Sequence, residues 1–432
     1  MKIKQTLFGI NLNKMHFCPR LIRINLNYMK KYLCFALSVS LTILESQAQN
    51  STTAEDLMLK DSTRHETSVG GYGNAFYQRD NNLETSTVNL ERFVLFVGHK
   101  FNSKFSFFSE LEVEDAKIEG GEEGGEVALE QCYIQYNVNS THFWKFGLFI
   151  PQIGILNQNH LPESYHGNER NRIETLILPS TWRELGVSFN GSLSKLPLSY
   201  SVGLVNGLNS AGFEHGNVIR GGRFEGSNAS ANNLALTGAV EYSYKKLKFQ
   251  VSGYYGGSVG LSPREADSLE LESGIFGSPV GIAEANIRYT SGRLSVKVLA
   301  ATVSIPKAAS INRAYASNTP AMAFGGFAEV AYSVYKSKSK DSKANLMAFA
   351  RYEKFDLNAD IPTNGIIDPT LDQQHIVIGL TYLPISNVVF KADVRLQTTG
   401  EENPSLIINP SPTAPAYKTS NSFVNLGIGY SF

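Results

Sequence analysis

The sequence predicts an all-β protein, a transmembrane antiparallel β-barrel of about 16 strands with one infolded constriction loop. Three observations point there. Apolar residues alternate with polar ones over segments of mostly 9 to 13 residues. The connections between those segments are short and long by turns. No run of about eighteen apolar residues offers a membrane helix, so any crossing has to be made by strands.

At the start of the chain, Met29-Lys30-Lys31 precede the apolar stretch Tyr32 to Leu44, and Ser46-Gln47-Ala48 places small residues at the two cleavage-defining positions. Residues 1–48 are therefore expected to be a signal peptide or presequence cleaved after Ala48, with the true start open between Met1 and Met29. Residues 49–66 lack alternation and are expected to form a flexible periplasmic leader, leaving 67–432 as the barrel domain.

Removing the presequence changes the charge. Residues 1–48 hold seven Lys or Arg and one Glu, so of 39 basic and 39 acidic residues 32 and 38 remain. An acidic balance of this kind does not provide a basic face for nucleic acid. Two of the three cysteines, Cys18 and Cys34, leave with the presequence. Cys132 alone can form neither an intramolecular disulfide nor a cysteine metal cluster, and on its strand it shares a face with Ile134 and Tyr136.

Strands are expected near 67–78, 87–99, 103–115, 126–138, 142–150, 181–191, 196–206, 234–244, 247–256, 281–290, 293–303, 323–335, 344–354, 373–383, 386–398 and 420–432. Their even number suits a closed bacterial barrel, and their length suits tilted membrane crossings better than soluble sheets. Within Phe105 to Glu114, for example, Phe105, Phe107, Leu111 and Val113 share one face while Ser106, Glu110, Glu112 and Glu114 share the other. Tight turns follow even-numbered strands, at Asn102, Lys195-Leu196-Pro197, Ser291-Gly292 and Leu383 to Ser386. Long polar stretches follow odd-numbered ones, at Gly207 to Asn233, Gly257 to Val280 and Thr399 to Thr419. Short periplasmic turns and long outer loops are the asymmetry of outer-membrane barrels.

At the other end, Val424, Leu426, Ile428, Tyr430 and Phe432 fall on one face and close the chain on an aromatic. Such an end is similar to the signal read by the barrel-assembly machinery, which makes that machinery an expected partner through Phe432. Tyr242, Tyr244, Tyr289, Tyr332, Tyr335 and Tyr382 lie near strand ends, where interfacial girdles need rings with a polar tip. The acidic run Glu119 to Glu126 is expected to be a solvated outer loop, and Lys336 to Lys343 a hydrophilic periplasmic turn.

The longest informative connection is the polar segment from Pro151 to Pro179, which parity places on the outer side with access to the lumen. Its candidate constriction residues are Arg170, Arg172, Glu174, Glu163 and His166, with Arg183 where the chain rejoins the barrel. Arg170 and Arg172 either project a field across the lumen or pin the loop by salt bridges; for Arg183 the clamp is the expected role. Strand phase puts Lys145, Arg288, Arg293, Lys297, Arg351, Lys391 and Arg395 on the lumen wall, facing Glu110, Glu112, Glu184, Glu241, Glu284, Glu353 and Asp393. That set is mixed in sign.

Enzyme classes find little support. His160 and His166 stand six apart around Glu163, which is not HExxH, and there is no GxSxG elbow or phosphate-cradling GxxxxGKS. His375 is expected to face inward, away from any outer-wall serine. No catalytic site, cofactor or metal site is expected.

Three phrases carry a resemblance: GEVALEQCYIQY, WKFGLFIPQIGILNQNH and IETLILPSTWRELG, in the stretch from Glu126, with the glycine before it, to Gly186. They resemble the phosphate-selective porin (porin O/P-type) family of outer-membrane channels of Gram-negative bacteria, particularly its Bacteroidetes-type members. The resemblance implies an outer-membrane barrel, ion transport and a homotrimer, and for phosphate-selective members a dense basic ladder. The expected function is a passive diffusion channel for small hydrophilic solutes, including anions such as phosphate, with the lipid bilayer as surroundings. The alternative is a barrel-anchored surface receptor or adhesin acting through its long loops.

Overall fold

A strand that alternates can satisfy its backbone in hydrocarbon only if both edges are paired, and this chain pairs all of them. The computed structural model describes residues 66–115, 125–337, 339, 343–407 and 416–432. The presequence, nearly all of the leader, most of the acidic run, the middle of the basic turn and residues 408–415 of the last long connection lie outside the described residues.

Sixteen strands form one closed antiparallel barrel in which each pairs with its sequence neighbours and β1 pairs with β16. They are β1 Glu66–Asp80, β2 Thr85–Lys100, β3 Phe105–Glu114, β4 Val127–Asn137, β5 His142–Phe149, β6 Glu184–Ser192, β7 Leu198–Asn206 and β8 Leu234–Tyr244. The second half comprises β9 Leu247–Gly256, β10 Val280–Ser291, β11 Leu294–Ser304, β12 Met322–Lys336, β13 Asn345–Asp360, β14 Asp372–Ile385, β15 Val388–Thr399 and β16 Ser420–Ser431. Closure runs through Tyr72↔Ser431 to Asp80↔Phe423. Without it, two rows of N–H and C=O groups would face lipid, at several kcal/mol each.

The expected phase holds. In β3, Ser106, Phe108, Glu110 and Glu112 are buried inward, while Phe105 and Leu111 are exposed on the outer wall. In β16, Val424, Leu426 and Ile428 point out, and Asn425, Gly427, Gly429 and Ser431 point in. Exposed Tyr242, Tyr244, Tyr332, Tyr335 and Tyr382 stand near the short-turn ends of their strands, as an interfacial girdle requires. Among the described residues no helix is long and apolar enough to cross a membrane.

The largest departure from the expected strands is at β13, which continues from the expected end at residue 354 to Asp360. Asp356, Asn358 and Asp360 give this stretch the polarity of a loop, yet it stays paired to β12 through Phe324↔Asp356 and Met322↔Asp360. Its inward Phe355 and Leu357 are buried in the apolar core, so the strand persists beyond the hydrophobic belt.

Three of the long connections contribute to the core. The one joining β7 and β8 places Leu208, Phe213, Val218 and Ile219 in the main core cluster, beside Val259, Ala266 and Leu271 of the β9–β10 connection. The latter carries helix α1, Pro263–Ser268, opened by a capping box between Ser262 and Glu265. Helix α2, Ala308–Tyr315, buries Ala308 and Ile311 from the β11–β12 connection in the same cluster. His215 Nε2 lies 2.8 Å from Asp368 Oδ2, and Asn318 Nδ2 donates to Ile366 O at 2.8 Å, tying three long connections together.

Candidate functional site

The segment expected to be polar is largely apolar in its packing, a correction with a simple cause. Residues 150–183 contain Ile153, Ile155, Leu156, Leu161, Ile173, Ile177, Leu178 and Trp182, all buried. Lacking strand periodicity they look like loop in the sequence, but inside a wide barrel they bury apolar surface against Tyr72, Phe96 and Phe108 of the wall. The loop thereby folds into the barrel.

It begins at the end of β5 and reaches the far side. Lys297 on β11 donates to Ser164 O at 3.1 Å, and Arg351 on β13 donates to His166 O at 3.0 Å. The Asn168 amide donates to Asp393 Oδ2 of β15 at 2.8 Å, and the Arg172 amide to Glu353 of β13 at 2.8 Å. Lys391 Nζ stands 3.5 Å from the centre of the Tyr165 ring, a cation–π contact shielded from water. Glu163 is bonded to Ser431 of β16.

Room for this crossing comes from glycine. A Cβ on Gly429 would lie 2.4 Å from Pro162 Cβ, and one on Gly427 1.9 Å from Asn168 Oδ1. Both glycines face inward on β16, where a larger side chain would hold the loop off the wall.

The loop is also braced from within and from outside. Glu174 Oε1 accepts from the amides of Ile155 and Leu156, each at 2.6 Å, and its other oxygen accepts from Asn171 at 2.8 Å. Gly154, at φ +77°, permits this turn, since a Cβ there would meet Glu174 Oε1 at 2.6 Å. Burial lifts the Glu174 carboxyl above its ordinary pKa, opposed by these donors. From the β7–β8 connection, Arg220 donates to Thr175 O and Ser180 O at 3.1 Å, and Arg223 to Pro179 O at 3.0 Å.

The candidate residues therefore separate. Glu174 and Arg183 are 1% and 6% exposed, so neither presents its charge to an aqueous lumen. Arg183 pairs with Glu225 at 2.7 Å and with Glu130 at 4.0 Å, the clamp expected of it. Arg172 pairs with Glu169 at 2.6 Å, and Glu169 in turn accepts from Arg395 at 2.7 Å. Burial works to raise the Glu169 pKa, but Arg172 and Arg395 override it and hold the carboxyl below its usual range. Arg170 is half-buried, near Tyr165 and Glu91. His166 stacks on Phe349 at 5.3 Å, and burial, helped by Lys297, Lys391 and Arg351, pushes its pKa down to about 4.

On the wall, Lys145, Arg351, Lys391 and Arg395 are buried facing inward as expected, as are Glu110, Glu112, Glu184, Glu284, Glu353 and Asp393, and Lys297 reaches inward to the loop. Arg288 reaches Glu241 and Gln250 on the same inner surface. Arg293 is the exception. It lies in the β10–β11 turn, exposed, with its guanidinium on Ser333 O at 3.3 Å, because the chain reverses one residue before β11 begins. Glu329, unnamed in the sequence reading, binds Arg351 at 3.2 Å and Lys297 at 3.7 Å; its place in the alternation of β12 was the available signal. Glu130 and Glu169 were missed for different reasons, one sitting in a bulge and the other in an aperiodic loop.

Between the loop and the short-turn end lies a cavity of about 450 Å³, lined by Arg293, Lys297, Lys336, His166 and Glu163 among others. Its lining carries Lys297, Lys336 and the turn residue Arg293 with Glu163, and Lys297 also pairs with Glu329 at 3.7 Å.

No known family's sequence profile matches the chain. A protein of Aquifex aeolicus strain VF5, described only as uncharacterized, is 28% identical over 338 residues, covering 76% of this chain and 74% of its own. Among solved structures, the chain is similar to Salmonella typhi OmpF in complex with daunomycin, with a TM-score of 0.52 at 12% identity over 85% of this chain and 98% of that one. The outer-membrane channel DcaP of Acinetobacter baumannii gives 0.51 at 13% identity, over 87% and 99%. The barrel has the outer-membrane porin fold. An anion-selective porin from Comamonas acidovorans shares it, with a TM-score of 0.50 at 10% identity over 85% of this chain and all of that one. At these identities the porin fold is what is common, and the apolar outer belt fits the outer membrane.

Proposed function

We propose that the protein is a passive diffusion channel of the outer membrane for small hydrophilic solutes, with anions such as phosphate among them. The observation that carries this reading is the loop docked across the lumen, which divides a water-wide barrel and brings charged side chains to the division. The cavity on the short-turn side, with Arg293, Lys297 and Lys336 against Glu163, favours anions on that side of the loop. The alternative of an anchored receptor gains little from the β7–β8, β9–β10 and β11–β12 connections, where Leu208, Phe213, Val259 and Ile311 are buried in the core. The phosphate-selective resemblance and the homotrimer it implies belong to the same proposal.

Single-channel current of the purified protein in a planar bilayer tests it. Steady conductance with a reversal potential favouring chloride, and block that deepens with added phosphate, is the expected result. Folded protein that conducts no current would remove the channel reading, and conductance indifferent to phosphate would remove the solute.

A further inference from the structure

His160 has no counterpart among the residues that bind the loop to the far wall. It faces the near wall instead, where Glu110 of β3 and Glu130 of β4 meet it. All three are buried, and one ligand atom from each lies within 4.8 Å of the others.

The wall is built to bring two carboxylates to this point. Pairing of β3 with β4 passes from Glu110↔Gln131 directly to Leu111↔Leu129, leaving Glu130 as the extra residue of a bulge. In a regular strand Glu130 and Gln131 would point to opposite faces; here both are buried. Such a bulge re-aims a side chain.

The hydrogen bonds around the three groups leave three atoms facing inward. His160 Nδ1 lies 2.9 Å from the Asn157 carbonyl, which can only accept, so Nδ1 carries a proton and Nε2 is the atom turned toward the carboxylates, where a metal ion would replace any proton it holds. Asn157 is itself fixed, accepting from the Trp182 amide at 2.7 Å and donating to Pro151 O at 2.9 Å. Gln131 donates to Glu110 Oε2 at 2.7 Å, and Thr181 donates to Glu130 Oε1 at 2.6 Å. Each group is held by one atom. The other atoms converge: His160 Nε2 is 3.3 Å from Glu110 Oε1 and 3.6 Å from Glu130 Oε2.

The contact to Glu110 is a long hydrogen bond and that to Glu130 lies beyond hydrogen-bond reach, both wider than the roughly 2.7–2.9 Å of a charge-assisted pair. Two ligands about 2.1 Å from one tetrahedral ion stand roughly 3.4 Å apart, close to what is seen. A second observation points the same way. Glu130 Oε2 and the Tyr72 hydroxyl, both on fully buried residues, have no hydrogen-bond partner. The Tyr72 ring stands 5.8 Å from the His160 ring, with its hydroxyl among the charges of Glu110, Glu112 and Glu130. Glu112 is occupied by Arg92 at 3.2 Å, and Arg183, which reaches only Glu130 Oε1 at 4.0 Å, is committed to Glu225 at 2.7 Å.

We propose that Glu110, Glu130 and His160 bind a divalent first-row transition cation, which clasps the infolded loop to the β3–β4 wall. Two carboxylates and a neutral imidazole match a charge of +2, and the imidazole nitrogen selects Zn²⁺ or Co²⁺ over Ca²⁺ and Mg²⁺. The Tyr72 hydroxyl lies beside the ion. The ligands come from three separate parts of the chain, whereas the His160, Glu163 and His166 trio of the sequence is dispersed, with Glu163 on Ser431 and His166 on Thr381.

The test uses full-length protein folded in detergent, stripped with a chelator and titrated with Co²⁺. One Co²⁺ per chain with a visible absorption band, displaced by Zn²⁺, is expected, along with a rise in melting temperature when Zn²⁺ is added. Glu130→Gln and His160→Asn should each weaken binding at least about tenfold, while Glu163→Gln leaves it unchanged. Heat-modifiable gel migration establishes that each variant is folded; should Glu130→Gln fail this, His160→Asn in the loop carries the comparison. Absence of Co²⁺ binding by the folded wild type, or equal binding by His160→Asn and Glu163→Gln, overturns the site and leaves the three residues as a buried ion triad.

Discussion

Glu174 shows how one buried carboxylate can hold a loop whose sequence carries no regular pattern. Its three bonds satisfy two backbone amides and Asn171 at a place water does not reach. Glu174→Ala strands both amides, at about 1–3 kcal/mol apiece, so the melting temperature should fall and protease should cut within 151–183. Glu174→Gln keeps an acceptor and should cost less. His166 offers a pH test. Its pKa is about 4 in the folded chain against an ordinary 6.5, so the unfolded chain takes up the proton first as pH falls. The stability it contributes is full above about pH 6.5 and is lost between there and about pH 4. Acid titration of the melting temperature should show this loss, and His166→Gln should flatten it; an unchanged slope would refute the assignment.

At the scale of elements, the loop and β16 fit because inward positions of that strand are small. Asn425, Gly427, Gly429 and Ser431 alternate with the outward apolar residues, a pattern visible in the sequence although its purpose is not. Only the crossing of Pro162 over Gly429 gives the small residues their role. Pro162 is rigid, so Gly429→Val should cost about 1–3 kcal/mol of overpacking and displace the loop. Larger single-channel conductance and faster proteolysis of 151–183, with the barrel still heat-modifiable, are the expected readings. Strand limits were legible because lipid imposes a period of two, and β13 ran past its expected end because beyond the lipid belt pairing persists without that period.

For the whole molecule, charge across the lumen is organised by the loop. On one side stand Glu110, Glu112 and Glu130 with Arg92; on the other, Lys297, Arg351, Lys391 and Arg395 alternate with Glu329, Glu353 and Asp393. Arg170 and Arg172 lie on the loop between them, half-buried. Replacing both with Glu should move the reversal potential in a salt gradient toward cations, while the ion pair of Arg172 with Glu169 predicts some loosening of the loop as well. A reversal potential that stays put would assign both arginines to anchoring alone.

By itself the sequence determined the strands, their number, their phase and the side on which long connections lie, because a bilayer forces alternation and closure on every segment that crosses it. It also determined which connection had the length and position to enter the lumen. What only the tertiary structure decided is which residues meet there. Glu110, Glu130 and His160 are brought together by a bulge and a loop, neither of which has a periodicity to read. The same holds for Glu169 between Arg172 and Arg395, a contact set by packing of apolar side chains elsewhere in the loop. Periodic constraints are written locally along a chain, whereas the contacts of an aperiodic loop depend on the shape of the wall it folds against.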